Sequence, residues 1–506
     1  MAANWNHINP AVIGVQRHDG LSPLHLLILS AAAVAVLIWA GILVFGWQPA
    51  QVLSYLLPLG FYGLGTTWFV WRRVEKGVYS VFSIPIFTSI INFIRFGLAT
   101  LAVYADPSLL HPFFHGDYEP IRVTLLYFTS GMLAYWAGCS LVRAEGRKFV
   151  RQGLYHGELS NGIERRANLF LLWIVYLFVL SVRAYEVYMT GMNRSLAAFG
   201  ARNENVAEIQ FFGFVDSVGM WCFTVFTIER FSHPNERLLR VVFRVSFVVE
   251  CFTGLVTGMK SALLMPFVVA AVVCALMLKK VNKRWLFAAF LLLVGIYPLS
   301  NIYRTLGWGE RGFSPVQKWG AAAQYSREKS LSASEWLASG WDSTVQRLAL
   351  LPDMALAMNL GHRAEWLKGD EHWWMMPFYP FVPRFIWPSK PILLKGERFS
   401  IATGSTASSS VAITIPGDLY LEFGFPGLLI GMCMLGMLGQ WLTNMISGAL
   451  RKESLFIYTA IFWSLIFFES DVFGFITGLM KSLVMLWVFV RLIYVPRDRV
   501  RRSLLV

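Results

Sequence analysis

Apolar stretches of about 20 residues recur along this chain, and a stretch of that length crosses the hydrocarbon of a bilayer as a single helix. We read twelve of them: residues 24–46, 52–71, 80–104, 122–142, 168–189, 211–229, 241–258, 261–278, 285–302, 425–445, 455–473 and 476–495. The expected fold is therefore an all-α polytopic integral membrane protein with about twelve transmembrane helices. Composition agrees. Hydrophobic residues make up 56% of the chain and charged residues 15%, against about 25% charged in an ordinary soluble protein. A soluble enzyme, a disordered chain and a disulfide-stapled secreted domain are excluded. The first run is too long for the apolar core of a signal peptide, and no small-residue cleavage site follows it, so it is expected to stay in the membrane. The five cysteines all fall inside apolar runs, with no metal-ligand spacing, and read as small buried hydrophobes.

The net charge of +14 reads as orientation of membrane loops and not as nucleic-acid binding. Every even-numbered span is followed by a basic segment: Arg72, Arg73 and Lys76; Arg143 to Arg166; Arg230, Arg237 and Arg240; Lys279 to Arg284; Arg451 and Lys452; and the Arg497–Arg502 tail. Residues 105–120 contain no lysine or arginine. By the positive-inside rule both termini face the cytoplasm. The chain then divides into helices 1–9 (1–302), a large outer loop between spans 9 and 10 (303–411), and helices 10–12 with a basic tail (412–506). The outer loop holds eight of the twenty tryptophans.

Ionisable groups inside a bilayer are costly, so each is a functional candidate. Arg95, Arg183, Glu186, Asp216, Glu250, Lys260, Arg304, Asp418, Glu422, Glu469, Asp471 and Lys481 gather in the outer halves of their spans. That one-sided distribution suits a cavity open to the outer leaflet, where an amphiphile keeps its tail in the membrane and its polar head above. A transporter would spread such groups along the full depth. Arg183 and Glu186, spaced i, i+3, are a candidate local pair.

The most distinctive segment is Phe378–Gly427. It holds Pro383-Arg384-Phe385-Ile386-Trp387-Pro388-Ser389-Lys390-Pro391, then a stretch of small residues, then Gly417-Asp418-Leu419-Tyr420-Leu421-Glu422-Phe423-Gly424-Phe425-Pro426-Gly427. Its prolines and glycines predict irregular backbone leading into span 10. Arg384, Lys390, Lys395 and Arg398 form a cationic group opposed by Glu397. Arginine forks and lysine point charges together hold a diphosphate without a metal ion.

This segment resembles the Wzy-type O-antigen and oligosaccharide repeat-unit polymerases, as do the twelve spans and the large late outer loop. Some members carry arginine and glycine separated by ten residues in two outer loops; Arg202 and Gly213 fit that spacing, whereas Arg384 to Gly396 is one residue longer. The resemblance implies a glycosyltransferase of the bacterial inner membrane. It would move a growing glycan from undecaprenyl diphosphate onto a lipid-linked repeat unit at the periplasmic face, with a chain-length regulator and a flippase as partners. The leaving diphosphate needs cations, for which Arg384, Lys390, Arg304, Arg202, Arg183 and Arg95 are candidates. The acceptor hydroxyl needs a base, for which Glu422, Asp418, Glu397 and His362 are candidates. No cofactor is expected; His362 and His372 stand too isolated to suggest a metal site. The alternatives are a ligase-like glycosyltransferase, which needs nearly the same site, and a flippase or transporter of lipid-linked oligosaccharide.

Overall fold

The computed structural model of the chain describes residues 49–75, 82–105, 114, 116–142, 166–190, 206–257, 260–278, 315–328, 348–360, 375, 378–382, 387, 395–403, 413–447, 452–466 and 468–495. The expected spans at 24–46 and 285–302 lie outside them. The described chain is almost entirely helical. Helix α1 is Pro49–Glu75; a second rod runs as α2 (Ile84–Asn92), a π-helical turn (Phe93–Leu98) and α3 (Ala99–Ala105). Then come α4 (Glu119–Leu141), α5 (Leu169–Thr190), α6 (Val206–Ser232), α7 (Arg237–Thr257) and α8 (Lys260–Leu278). Three shorter helices, α9 (Pro315–Glu328), α10 (Leu351–Leu360) and α11 (Lys395–Ala402), precede α12 (Ile415–Ser447), α13 (Lys452–Ile466) and α14 (Val472–Ile493).

Among the described residues, five helical stretches are long and apolar enough to cross a membrane: Ile84–Val103, Leu169–Glu186, Phe212–Ser232, Ile415–Ile446 and Val472–Ile493. Exposed apolar side chains run in stripes, such as Leu57, Phe61, Leu64 and Trp68 on α1. Stripes of this kind are a liability in water and a match for lipid. The chain is a helical membrane protein.

One end of the bundle is fastened by polar contacts between distant segments. Strands β1 (Arg166–Ala167) and β2 (Tyr494–Val495) pair antiparallel, tying the start of α5 to the end of α14. At this end Lys452 Nζ donates to both carboxylate oxygens of Glu229, at 3.2 and 2.9 Å. Two exposed tryptophans carry an arginine four residues later over the ring: Arg72 over Trp68 at 5.2 Å and Arg491 over Trp487 at 5.4 Å. Such aromatic–cation pairs suit the head-group level of a bilayer.

Helices α4 and α12 pack backbone to backbone, and glycine makes it possible. A methyl built on Gly138 would overlap the carbonyl oxygen of Cys433, and one on Gly436 that of Tyr135; one on Gly131 would meet Leu428 at 3.3 Å. In lipid there is no hydrophobic drive between helices, so this backbone approach and the dispersion it gives hold the pair together. Cys139 Sγ adds a contact of 3.2 Å to the Gly436 carbonyl.

Two sequence expectations change. Helix α12 begins at Ile415, ten residues before the expected start of span 10 at 425. Pro416 suits a first helical turn, and the Gly417 N–H donates to Thr414 Oγ1 at 3.2 Å, so the helix has a start signal upstream of its apolar run. The irregular backbone expected around 417–427 is concentrated in one residue, Gly424, with φ 67° and ψ −162°. Only glycine adopts that conformation without strain. Within residues 303–411, α10 is buried along most of its length, at Leu351, Met354, Ala355, Leu356, Ala357 and Leu360.

Candidate active site

The end of the bundle opposite the β1–β2 pair gathers ionised groups around the first turns of α12. The segment before α12 is anchored when the Ile415 N–H donates to the Phe468 carbonyl at 2.9 Å. That places Asp418 beside the start of α14, where its Oδ2 accepts the Val472 N–H at 2.8 Å. Asp471 caps the same helix by accepting the Gly474 N–H at 2.5 Å. A helix N-terminus offers unpaired N–H groups, and the two aspartates satisfy two of them.

Lys395, at the first position of α11, reaches into this cluster. Its Nζ is 2.5 Å from Asp418 Oδ1 and also pairs with Glu422, one helical turn further on. Burial opposes the lysine charge, but Asp418 and Glu422 outweigh it and hold the Lys395 pKa above its ordinary value. The carboxylates differ in access: the Asp418 side chain is 1% exposed and Glu422 21%. Asp418 is thus committed to the lysine and the helix cap, whereas Glu422 keeps a face toward whatever fills the site. Gly424 breaks α12 two residues later, so Asp418 and Glu422 ride on a short helical piece separate from the long membrane-crossing part.

Arg95 arrives from the other side of the Phe468–Val472 turn. It lies on the π-helical turn and is buried, and its guanidinium pairs with Glu469, whose side chain is 42% exposed. A π turn shifts the hydrogen-bond register and leaves carbonyls to be satisfied from outside. Here the Tyr55 hydroxyl donates to the carbonyls of Phe96 (3.3 Å) and Gly97 (3.1 Å), and the Leu350 N–H donates to that of Arg95 (3.2 Å). Leu350, just before α10, is thereby fixed against the same turn that carries the arginine.

Trp387, the tryptophan inside the cationic motif, stacks on Tyr379 with centroids 5.2 Å apart, and Tyr379 meets Phe473 of α14 at 4.8 Å. This aromatic contact docks the motif onto the helix that Asp418 caps.

Of the candidates read from sequence, Arg95, Asp418 and Glu422 come together here. Glu397 lies on α11, two residues from Lys395. Arg202, Arg304, His362, Arg384 and Lys390 lie outside the described residues. Arg183 is elsewhere, in a network across three helices. Its Nε donates to Asp216 Oδ1 and its Nη1 to Glu250 Oε1, both at 2.9 Å, while the Tyr176 hydroxyl donates to the same Glu250 oxygen at 3.1 Å. Sequence spacing pointed to Glu186; the structure gives Arg183 two carboxylates on neighbouring helices. Arg183→Ala would leave Glu250 buried without this cation. We expect a loss of about 3–5 kcal/mol, read as a lower melting temperature in detergent, with part recovered when Glu250→Gln is added.

Sequence reasoning placed Lys395 in the cationic group but did not assign it as the partner of Asp418 and Glu422, and it did not pair Glu469 with Arg95. The signal for Lys395 was its place in the motif; nothing in the sequence links positions 95 and 469.

The family described as Domain of unknown function (DUF8712) matches residues 182–497, and the chain belongs to it. No curated protein and no solved structure matches the chain.

Proposed function

We propose that this DUF8712 member is a polysaccharide repeat-unit polymerase of the bacterial inner membrane. It transfers a growing glycan from undecaprenyl diphosphate to the end sugar of a lipid-linked repeat unit. In this reading the chain crosses the membrane twelve times with both termini in the cytoplasm, and residues 303–411 form the periplasmic loop. The end of the bundle that holds Lys395, Asp418, Glu422, Arg95 and Glu469 faces the periplasm.

The observation that carries the proposal is the motif of residues 378–427. The segment that resembles the polymerases is also the one that supplies Lys395, Asp418 and Glu422 to one ion-paired group at the head of a broken membrane helix. In the transfer, the acceptor hydroxyl oxygen bonds to the anomeric carbon as the bond from that carbon to the diphosphate oxygen breaks. The electron pair leaves on the diphosphate, and the hydroxyl proton goes to a base. Glu422 suits that role best: it sits at the head of the broken helix and, unlike the buried Asp418, retains solvent access. The arginines and lysines of the outer loops, Arg202, Arg304, Arg384 and Lys390, serve the departing diphosphate.

The test uses purified protein with lipid-linked repeat unit in detergent and no nucleotide sugar. A ladder of lengthening glycans supports polymerisation; transfer only to added lipid A core supports a ligase; movement of the lipid across liposomes without new bonds supports a transporter. Glu422→Gln is expected to lower polymer formation about 100-fold or more while the protein stays monodisperse. Arg384→Ala is expected to abolish polymer at unchanged protein level; long chains at normal amounts would rule out the diphosphate role for that residue.

A further inference from the structure

At the end of the bundle away from this site, α6 and α7 meet in an arginine group with which, among the described residues, no acid forms an ion pair. Arg230 closes α6, and Arg237, Arg240 and Arg244 follow one another along the first two turns of α7. Arg230, Arg240 and Arg244 are close enough to act on one another as like charges. Arg230 turns its Nη1 to the Pro234 carbonyl at 3.1 Å, and Arg240 holds a buried Nε with no hydrogen-bond partner. Glu229, next to Arg230, is engaged by Lys452 and lies 3.4 Å from His233 Nδ1. Glu236, immediately before α7, is exposed, and among the described residues its side chain forms no ion pair with these arginines.

This placement runs against helix electrostatics. The N-terminus of α7 is its positive end and favours anions, yet its first turn carries arginine and no acid. Repelling guanidiniums at a positive helix end suit a bound anion. The neighbouring face says what kind. Leu238, Val241, Val245, Val248 and Phe252 are all exposed and run along α7 as one apolar stripe. Arg237, Arg240 and Arg244 each precede a stripe residue by one position, about 100° around the helix. An apolar track along the helix, headed by guanidiniums at one end, fits a molecule with acyl chains and a phosphate head.

We propose that the α6–α7 corner is a binding site for an anionic phospholipid, its phosphate held by Arg240, Arg244 and Arg230 and its acyl chains lying on the Leu238–Phe252 stripe. A second copy of the chain is a poor occupant, because two α7 helices packed in parallel in one membrane would bring their arginine groups to the same depth. The site rests on the membrane reading alone and not on the reaction proposed above.

The full chain, reconstituted in nanodiscs of phosphatidylcholine with a minor fraction of phosphatidylglycerol, is released into detergent and its retained lipid read by native mass spectrometry. Wild type is expected to retain phosphatidylglycerol over phosphatidylcholine. Arg240→Gln with Arg244→Gln is expected to weaken that retention about thirtyfold, from the loss of two cations at the membrane surface. Arg72→Gln, at another basic site, should leave it unchanged. Arg244→Gln alone changes an exposed side chain and keeps the test open where the double variant does not fold. Equal retention by wild type and the Arg244 and Arg240 variants overturns the proposal. So does displacement of the lipid by inorganic phosphate at millimolar concentration, which would assign the site to a free anion. A wild-type dimer that dissociates when Val245→Arg is introduced would assign the stripe to a second copy and overturn it as well.

Discussion

Replacing Gly138 or Gly436 with leucine is expected to leave no folded protein in the membrane. Both glycines sit where α4 and α12 run backbone to backbone, each facing a carbonyl of the other helix. Neither neighbour can rotate away, because the atom in the way belongs to main chain in a regular helix. Any side chain forces the helices apart along their shared length, which removes the dispersion contacts that hold them in lipid. Overpacking of this kind costs about 1–3 kcal/mol where side chains yield, and more where backbone must move. Against a total stability of about 5–15 kcal/mol, leucine on either helix should prevent assembly. Even Gly138→Ala should lower the melting temperature. The check is fluorescence-detected size exclusion in mild detergent, with Gly60→Ala and Gly478→Ala as controls, since a methyl at either meets nothing within 4 Å. Normal profiles for the leucine variants would mean that α4 and α12 are not in contact as described.

The second large effect is expected at Lys395. Its ammonium is the shared partner of Asp418 and Glu422, and Lys395→Ala leaves two like charges facing each other without it. Removing one partner of a buried pair costs about 3–5 kcal/mol, so the variant should be strongly destabilised and inactive. The sign of the pH effect separates charge from shape. In the variant, carboxylates that take up protons no longer repel, so acidification toward the carboxylate range should restore part of the lost stability. In the wild type, folding holds the Lys395 pKa above its ordinary value. Its contribution is therefore complete below the unfolded lysine value of about 10.4 and is lost only as pH rises through the higher folded one. Lys395→Arg should keep more stability than Lys395→Ala. A variant melting curve with no acid recovery would show that lost packing, not unbalanced charge, is the cause.

Local pattern was enough for the class, a helical membrane protein with apolar stretches long enough to cross a bilayer, because hydropathy acts at every position independently. Of the ionisable residues read as candidates, Arg95, Asp418, Glu422, Glu469 and Asp471 share one end of the bundle. Local pattern failed where a side chain chooses its partner across helices. Arg183 had Glu186 one turn away, yet binds Asp216 and Glu250, because helix packing turns it toward α6 and α7. The pairing of Arg95 with Glu469 joins segments far apart in the chain, and the π turn that positions Arg95 has no marker in Phe93–Leu98. The glycines and prolines of the motif announced irregular backbone, but only tertiary contacts, the Phe468 carbonyl and the Val472 amide, decide that residues 415–423 are helix and that Gly424 takes the break alone.

The grip of α4 on α12 also separates two boundaries that are easily taken for one. The stretch this chain shares with its family opens at residue 182, after α4 has ended at Leu141. Yet the glycine face of α12 that α4 covers belongs to that stretch. What is held in common by descent is therefore smaller than what must fold together here. A gene fragment cut at the family boundary would carry a long helix whose flattest, most backbone-rich side has lost its mate. Such a fragment should recover its form only when residues 49–181, with α4, β1 and the first part of α5, are supplied on a second polypeptide, so that the protein behaves as two halves of one assembly.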